Sequence, residues 1–279
     1  MDSTGPTLLS IEVSYTSTPE GEALLAEISR PRCARGQEML LDLVSGHAAE
    51  PIESILDIGC GRGRWSVALA QRFTARVLAV DLTQERVGAT AQAVREAGLE
   101  GRVAVCRGSI HHLPMATASV DLVWCRDMLN HVSPLEPAIR ECARVLRPGG
   151  AVMVFQTFAG ELLEPLEAAR LYSALVIDPD NMSVDHAESA FESAGLVIAR
   201  KDVIRSEWRE HEIEAGETDQ ILRDLLTVAR LEREREELVD RYGAALYEHL
   251  RAGSIWRPYQ MLGKLLPVAY LLVAPATDP

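Results

Sequence analysis

The sequence predicts an α/β protein: a mostly parallel sheet with helices on both faces. Three observations predict it. From Ile52 onward, short apolar strand-like runs alternate with helix-length amphipathic runs across short gaps. The first strand, Ser54 to Ile58, opens directly into Gly59-Cys60-Gly61-Arg62-Gly63, a turn without side-chain bulk. With 279 residues and 47% apolar composition, the chain suits one large α/β domain, or a core with a small appended part.

The elements follow in order. Residues 1–19 are rich in Ser, Thr, Pro and Gly and read as loose chain. Glu20 to Ile28 and Gly36 to Val44 read as helices broken at Pro31, the second with a Leu40, Leu41, Leu43, Val44 stripe. After the Gly-rich turn, Trp65 to Phe73 is a helix. Arg76 to Val80 is the second strand, with Asp81 at its end. Thr83 caps a helix to Ala97 that Gly98 stops. Arg102 to Cys106 and Val120 to Cys125 are strands three and four. Ser133-Pro134-Leu135-Glu136 reads as a capping box for a helix to Leu146, and Ala151 to Gln156 is strand five.

Beyond strand five the rhythm breaks. Glu161 to Val176 reads as an extra helix, Ser183 to Ala194 as another, and Leu196 to Ile204 as a strand. Gly216 to Leu231 and Glu232 to Arg251 read as two charged amphipathic helices. The Glu232–Glu237 charge run is a solvated face. Leu265 to Ala274 is the final strand, with Pro267 near its start.

The formal charge of −13 and pI near 5.0 argue against a nucleic-acid footprint, which needs a basic face. The five cysteines (Cys33, Cys60, Cys106, Cys125, Cys142) are scattered and lack CxxC spacing, so they read as reduced thiols in a cytoplasmic protein. No zinc site or other metal centre is expected. His111-His112 has no companion ligands at suitable spacing. The N-terminus lacks a signal-peptide pattern, and no run is long enough for a membrane span.

A strand, a Gly-rich turn and a helix start form a cradle where backbone N–H groups meet a ligand. Dinucleotide sites want G-x-G-x-x-G, but the third glycine position is Arg64 or Ser66 in the two registers. The pattern present, Asp57-Ile58-Gly59-Cys60-Gly61-Arg62-Gly63, resembles motif I of the class I S-adenosylmethionine (SAM) methyltransferases. Further segments in the same order strengthen the resemblance over residues 52–204: Asp81 after strand two, Gly108-Ser109-Ile110 through Leu113-Pro114-Met115, and Leu146-Arg147-Pro148-Gly149-Gly150 before strand five.

The resemblance implies a Rossmann-like seven-stranded sheet of order 3-2-1-4-5-7-6, six strands parallel and one antiparallel. It implies SAM as cofactor, S-adenosylhomocysteine (SAH) as product, and methyl transfer to an O, N or C atom of a small molecule. The cofactor set it suggests is Asp57, Gly59, Cys60, Gly61, Gly63, Asp81, Leu82, Ser109, Ile110 and Arg126. Asp81 would take the ribose hydroxyls; Ser109 stands where the family usually has an acid. The loop after strand four would face the methyl group, which makes His131, Asp127 and Asn130 the catalytic candidates, with His131 foremost as a base. Tyr15, Arg30, Arg35 and Gln37 lie where helices before the first strand often cover the cofactor.

Trp208, His211, Trp256, Tyr259 and Gln260 flank the long segment after strand six, and Trp208, Trp256, Tyr259 and Gln260 are the substrate candidates. Four regions follow: a helical cover at 1–51, a SAM-binding core at 52–204, a helical lid at 205–264, and a last strand and tail at 265–279. The other readings left open are a same-fold protein catalysing non-methyl chemistry such as cyclisation and a non-catalytic SAM-binding regulator. A homodimer is also left open.

Overall fold

The computed structural model describes residues 19–31, 34–46, 51–216 and 219–275. Tyr15 and Cys33, named above, lie outside the described residues. Contacts divide the chain between Ala34 and Arg35. The first unit holds helix α1 (Pro19–Ile28).

The second unit begins with α2 (Met39–Ser45), whose Leu40, Leu41, Leu43 and Val44 are all buried. They pack with Ile55 of β1 (Ser54–Ile58) and Trp65 of α3 (Arg64–Phe73). The contact division falls at residue 34, inside the 1–51 region, and the α2 stripe packs in the sheet's own core.

Next come β2 (Arg76–Asp81), α4 (Gln84–Glu96), β3 (Val103–Arg107), β4 (Val120–Arg126), α5 (Leu135–Val145) and β5 (Leu146–Ala159). Then follow α6 (Pro165–Leu175), α7 (Val184–Ser193) and β6 (Val197–Val203). Four helices, α8 (Glu207–Glu214), α9 (Gln220–Arg233), α10 (Arg235–Tyr242) and α11 (Ala244–Met261), precede β7 (Leu265–Val273). The strands form one sheet in the order β3-β2-β1-β4-β5-β7-β6. The β1–β2, β1–β4, β2–β3 and β4–β5 pairs are parallel, and β7 runs antiparallel to both neighbours. The sheet is the one expected.

Side-chain alternation in β4 builds two cores at once. Val123 and Cys125 face the cluster with α5 and α7, while Leu122 and Trp124 face the cluster with α2 and α3. Both sets are buried to within 1% of full occlusion. A third cluster joins α6, α11 and the start of β7 through Leu171, Tyr259 and Leu265.

Three local readings are corrected. The two charged helices expected over 216–251 are three, broken at Glu234 and at Gly243, whose φ of 85° ends α10. The Ser133–Glu136 capping box does not form: Pro134 itself is the cap residue, with extended backbone, and α5 starts at Leu135. A capping box does form at α6, where Glu164 and Glu167 bond each other's backbone N–H groups. Strand five is longer than expected, because Leu146 already pairs with Val120 before the register shift.

Candidate functional site

The C-terminal ends of β1, β2 and β4 open into a cleft of ≈ 420 Å³. Its floor is the Gly-rich turn. Gly59 N–H and Cys60 N–H both donate to Val80 O, at 2.8 and 3.1 Å, which staples the turn to β2. Gly59 has φ +70°, and a Cβ there would lie 2.9 Å from Met128 Cγ. Gly63, at φ +82°, caps α3, and a Cβ would meet Thr90 Cα at 3.0 Å. The absent side chains thus keep the cleft open at one glycine and seat α3 against α4 at the other.

Asp81 lines this cleft with Leu82, Ser109, Ile110, Met128 and His131. Its Oδ2 accepts from Gly61 N–H at 3.1 Å, and its Oδ1 accepts from Thr83 N–H at 3.0 Å and Thr83 Oγ1 at 3.2 Å. The carboxylate is clamped at the rim yet keeps lone pairs for a ligand. Thr83 also caps α4 by accepting from Arg86 N–H at 3.4 Å. Ser109 Oγ accepts from His111 N–H at 3.3 Å, and Ile110 is buried in the cleft wall.

Two members of the expected cofactor set turn away from the opening. Asp57 lies beneath the turn, 2% exposed, and accepts from Ser66 Oγ at 2.5 Å. Burial pushes its carboxyl up to about 7, against the pull of the Ser66 hydrogen bond and of Arg126. The Cys60 side chain is buried against Thr90, Sγ to Oγ1 3.4 Å, and burial raises its thiol to about 12. Cys60 therefore contributes its backbone to the turn and packs its side chain between helices.

The loop after β4 separates the cleft from a larger cavity of ≈ 850 Å³. Asp127 has φ +52°, uncommon for a residue with a side chain, and lines the larger cavity. Its Oδ1 accepts from Thr157 Oγ1 at 3.3 Å and its Oδ2 lies 3.6 Å from Arg126. Burial raises this carboxyl above the usual carboxylate range, although Arg126 and Arg209 pull it down. His131 lines the smaller cleft, with Nδ1 3.0 Å from Val176 O. A carbonyl can only accept, so Nδ1 carries the proton and Nε2 is left as an acceptor.

Asn130 is a correction. It is 3% exposed, and its Nδ2 donates to Thr157 O and Met182 Sδ, both at 2.9 Å. Its amide donors are spent on joining the loop to β5, so it does not reach either opening.

Arg126 lines the larger cavity rather than the cleft. Its guanidinium carbon lies 5.3, 5.3 and 5.7 Å from the Trp65, Phe155 and Trp208 ring centres. Its Nε has no partner among the described residues, and burial lowers its pKa. One terminal nitrogen reaches Gln37 Oε1 at 3.4 Å.

Of the four substrate candidates, only Trp256 lines the larger cavity. Trp208 is a core residue, 2% exposed and stacked on Phe155 at 4.2 Å. Tyr259 points to the far side of α11 and donates to Glu167 Oε1 at 3.0 Å, where Lys264 also bonds Glu167. Gln260 is 2% exposed and lies behind the cavity wall, between Arg209 and Thr157. Rotation about the axes of α8 and α11 turns Trp208 to the core, Tyr259 to Glu167 and Gln260 to Thr157, away from the cavity. Arg35 and Gln37 do line the cavity, as do Arg64, Arg209, Glu212 and Arg257, which the sequence did not single out. Their spacing carries no motif; only the fold gathers them.

A protein-family model described as "Methyltransferase domain" matches residues 56–154. The chain is 28% identical over 188 residues to methyltransferase GfsG of Streptomyces halstedii, covering 67% of this chain and 65% of that one. It is 29% identical over 205 residues to the 27-O-demethylrifamycin SV methyltransferase of Amycolatopsis mediterranei, covering 70% and 68%. A ubiquinone biosynthesis O-methyltransferase of Azoarcus sp. is 35% identical over 112 residues, covering 40% of this chain and 47% of that protein. The chain thus spans about half to two thirds of these relatives' lengths. Among solved structures, a geranyl diphosphate methyltransferase in complex with SAM superposes with a TM-score of 0.62 at 18% identity, covering 94% of both chains, a likeness of fold.

Proposed function

We propose that this chain is a class I SAM-dependent methyltransferase, a reading that its sheet order and the methyltransferase-domain match at residues 56–154 support, and that it transfers a methyl group from SAM to a small-molecule acceptor. The observation that carries the reading is the pair of openings meeting at one loop. A smaller cleft, which would take the adenosine, and a larger polar cavity lie on the two sides of residues 126–131.

The residues fit the cofactor. Asp81, at the cleft rim, has lone pairs left for ribose hydroxyls, and Ile110 and Met128 offer apolar faces for the adenine. The cradle at Gly59 is one that a Cβ would fill. Buried Asp57 ties the strand end to the first turn of α3 by accepting from Ser66 Oγ beneath the turn. When bound, SAM would supply an electrophilic methyl on a sulfonium. The chain's own part is to align the acceptor atom and exclude water.

The acceptor occupies the larger cavity, whose wall includes Trp256 and helices of the insertion between β6 and β7. Asp127 faces that cavity and takes the acceptor's proton where one must leave. His131, on the cofactor side, presents Nε2 to the cleft. The name of one relative, 27-O-demethylrifamycin SV methyltransferase, supports an oxygen acceptor on a small metabolite.

Calorimetry tests the cofactor. SAM and SAH bind, NAD does not, and Asp81→Ala weakens SAM about tenfold or more, the worth of lost charge-assisted hydrogen bonds. Unchanged affinity in that variant removes Asp81 from the site. Native mass spectrometry of the protein as purified then identifies any retained acceptor.

A further inference from the structure

Arg209 on α8 donates from Nε to Gln260 Oε1 of α11 at 2.8 Å. Gln260 Nε2 donates to Thr157 Oγ1 of β5 at 3.2 Å, and Thr157 Oγ1 donates to Asp127 Oδ1 at 3.3 Å. The direction of this chain is not arbitrary. A guanidinium only donates, so the Gln260 atom facing Arg209 must be oxygen and the one facing Thr157 must be nitrogen. Thr157 Oγ1 therefore accepts from Gln260, and its single proton goes to Asp127. The last member must be an acceptor, which an ionised carboxylate is. Thr157 is fully buried and Gln260 nearly so, which keeps water from substituting for either link.

We propose that Thr157, Gln260 and Arg209 are positioning residues that hold Asp127 as an ionised hydrogen-bond acceptor aimed at the larger cavity. This deepens the reading of Asp127 as the proton acceptor and rests on it. Two links belong to helices of the insertion, α8 and α11, and two to the core strand β5 and the loop after β4. The proton affinity of Asp127 is thus coupled to the seating of the insertion helices on the sheet. Removing the Thr157 donor leaves the carboxylate with burial unopposed on that side.

The charged groups facing Asp127 are Arg126 beside it, Arg209 on α8 and His131 in the following turn. Glu212 of α8 is held by Arg209 and by Gln37, at 2.8 and 2.9 Å. The test leaves all of these in place and uses neutral substitutions only. Protein labelled with 13C at the aspartate carboxyl is titrated by NMR, with the Asp127 signal assigned by its loss in Asp127→Asn. Thr157→Val should raise the Asp127 midpoint by about one pH unit, and Thr157→Ser should restore it. Gln260→Leu, which does not touch the carboxylate and keeps every charged side chain but frees Arg209 Nε, should shift it the same way by less. A midpoint that stays put in Thr157→Val, or moves equally in Thr157→Ser, overturns the proposal.

Turnover separates this from the reading beneath it. If the midpoints move as expected but Asp127→Asn keeps full turnover with the acceptor found by mass spectrometry, the hydrogen-bond chain stands and the base assignment falls. If Asp127→Asn is inactive and the midpoints do not move, the base assignment stands and the chain falls.

Discussion

At the scale of single residues, the site is governed by carboxylates in unlike surroundings. Asp57 has a folded pKa of about 7 against an ordinary 3.8. The folded state holds the proton more tightly than the unfolded one, so Asp57 makes stability fall as pH rises from about 4 to about 7. Asp57→Asn removes that slope. Its thermal midpoint should match wild type near pH 4 and exceed it increasingly toward pH 8, by the equivalent of a few kcal/mol (~2–4). Parallel curves for the two proteins would show that Asp57 is ionised in the free protein at all these pH values. Asp127 and His131 are separated by turnover. Asp127→Asn should lower kcat by about 10²–10⁴-fold, the usual worth of a placed base, while His131→Ala should act mainly on SAM affinity. Because burial raises the Asp127 carboxyl, the wild-type rate should climb with pH through a midpoint above the usual carboxylate range. A kcat loss in His131→Ala larger than in Asp127→Asn would reverse the two roles.

At the scale of elements, α8 is the first helix of the insertion and joins it to the core. It is only eight residues long, yet Trp208 fixes it by stacking on Phe155 of β5. The same indole forms one wall of the Arg126 box. Trp208→Ala leaves a large cavity in the sheet's α2–α3 face and should cost about 3–5 kcal/mol in denaturant unfolding. A loss under 1 kcal/mol would mean that α8 is held by its ion pairs instead. Those pairs are Arg35 with Asp202 and Glu207 and Arg209 with Glu212. The Arg35 pairs are partly exposed and contribute little, and the Arg209–Glu212 pair lies within α8 itself and does not tie it to the sheet.

At the scale of the whole molecule, the sheet places the cofactor cleft and the insertion places the cavity wall. We expect the two to be separable. Joining Ala215 to Ala252 by a flexible linker removes α9 and α10 and most of the cover. It also removes Asp224, the partner of Arg257 at 2.6 Å, so the shortened protein should carry Arg257→Gln as well. Soluble material should bind SAH within about threefold of wild type by calorimetry, because Gly59, Asp81 and Ile110 belong to the core, and should fail to turn over. Retained turnover would show that the insertion does not cover the acceptor.

The sequence by itself determined a mostly parallel α/β layering and the turn, while the strand order followed from the family resemblance. Alternating apolar runs with short gaps dictate parallel crossovers, and glycines at 59, 61 and 63 announce a backbone that side chains would block, as their positive φ angles show. Asp81 was legible for the same reason: a carboxylate just past a strand end has one place to be. The tertiary structure decided everything that depends on rotation about a helix axis or on contacts between distant segments. Asn130 and His131 are adjacent in sequence, yet one is buried in packing and the other lines the cleft. Trp208, Trp256 and Tyr259 share a composition signal, yet one fills the core, one lines the cavity and one faces a salt bridge. The link from Arg209 through Gln260 and Thr157 to Asp127 joins four segments spread over 134 residues of sequence (Asp127 to Gln260). No local pattern encodes such a link, because it is made only when β5, α8 and α11 pack together.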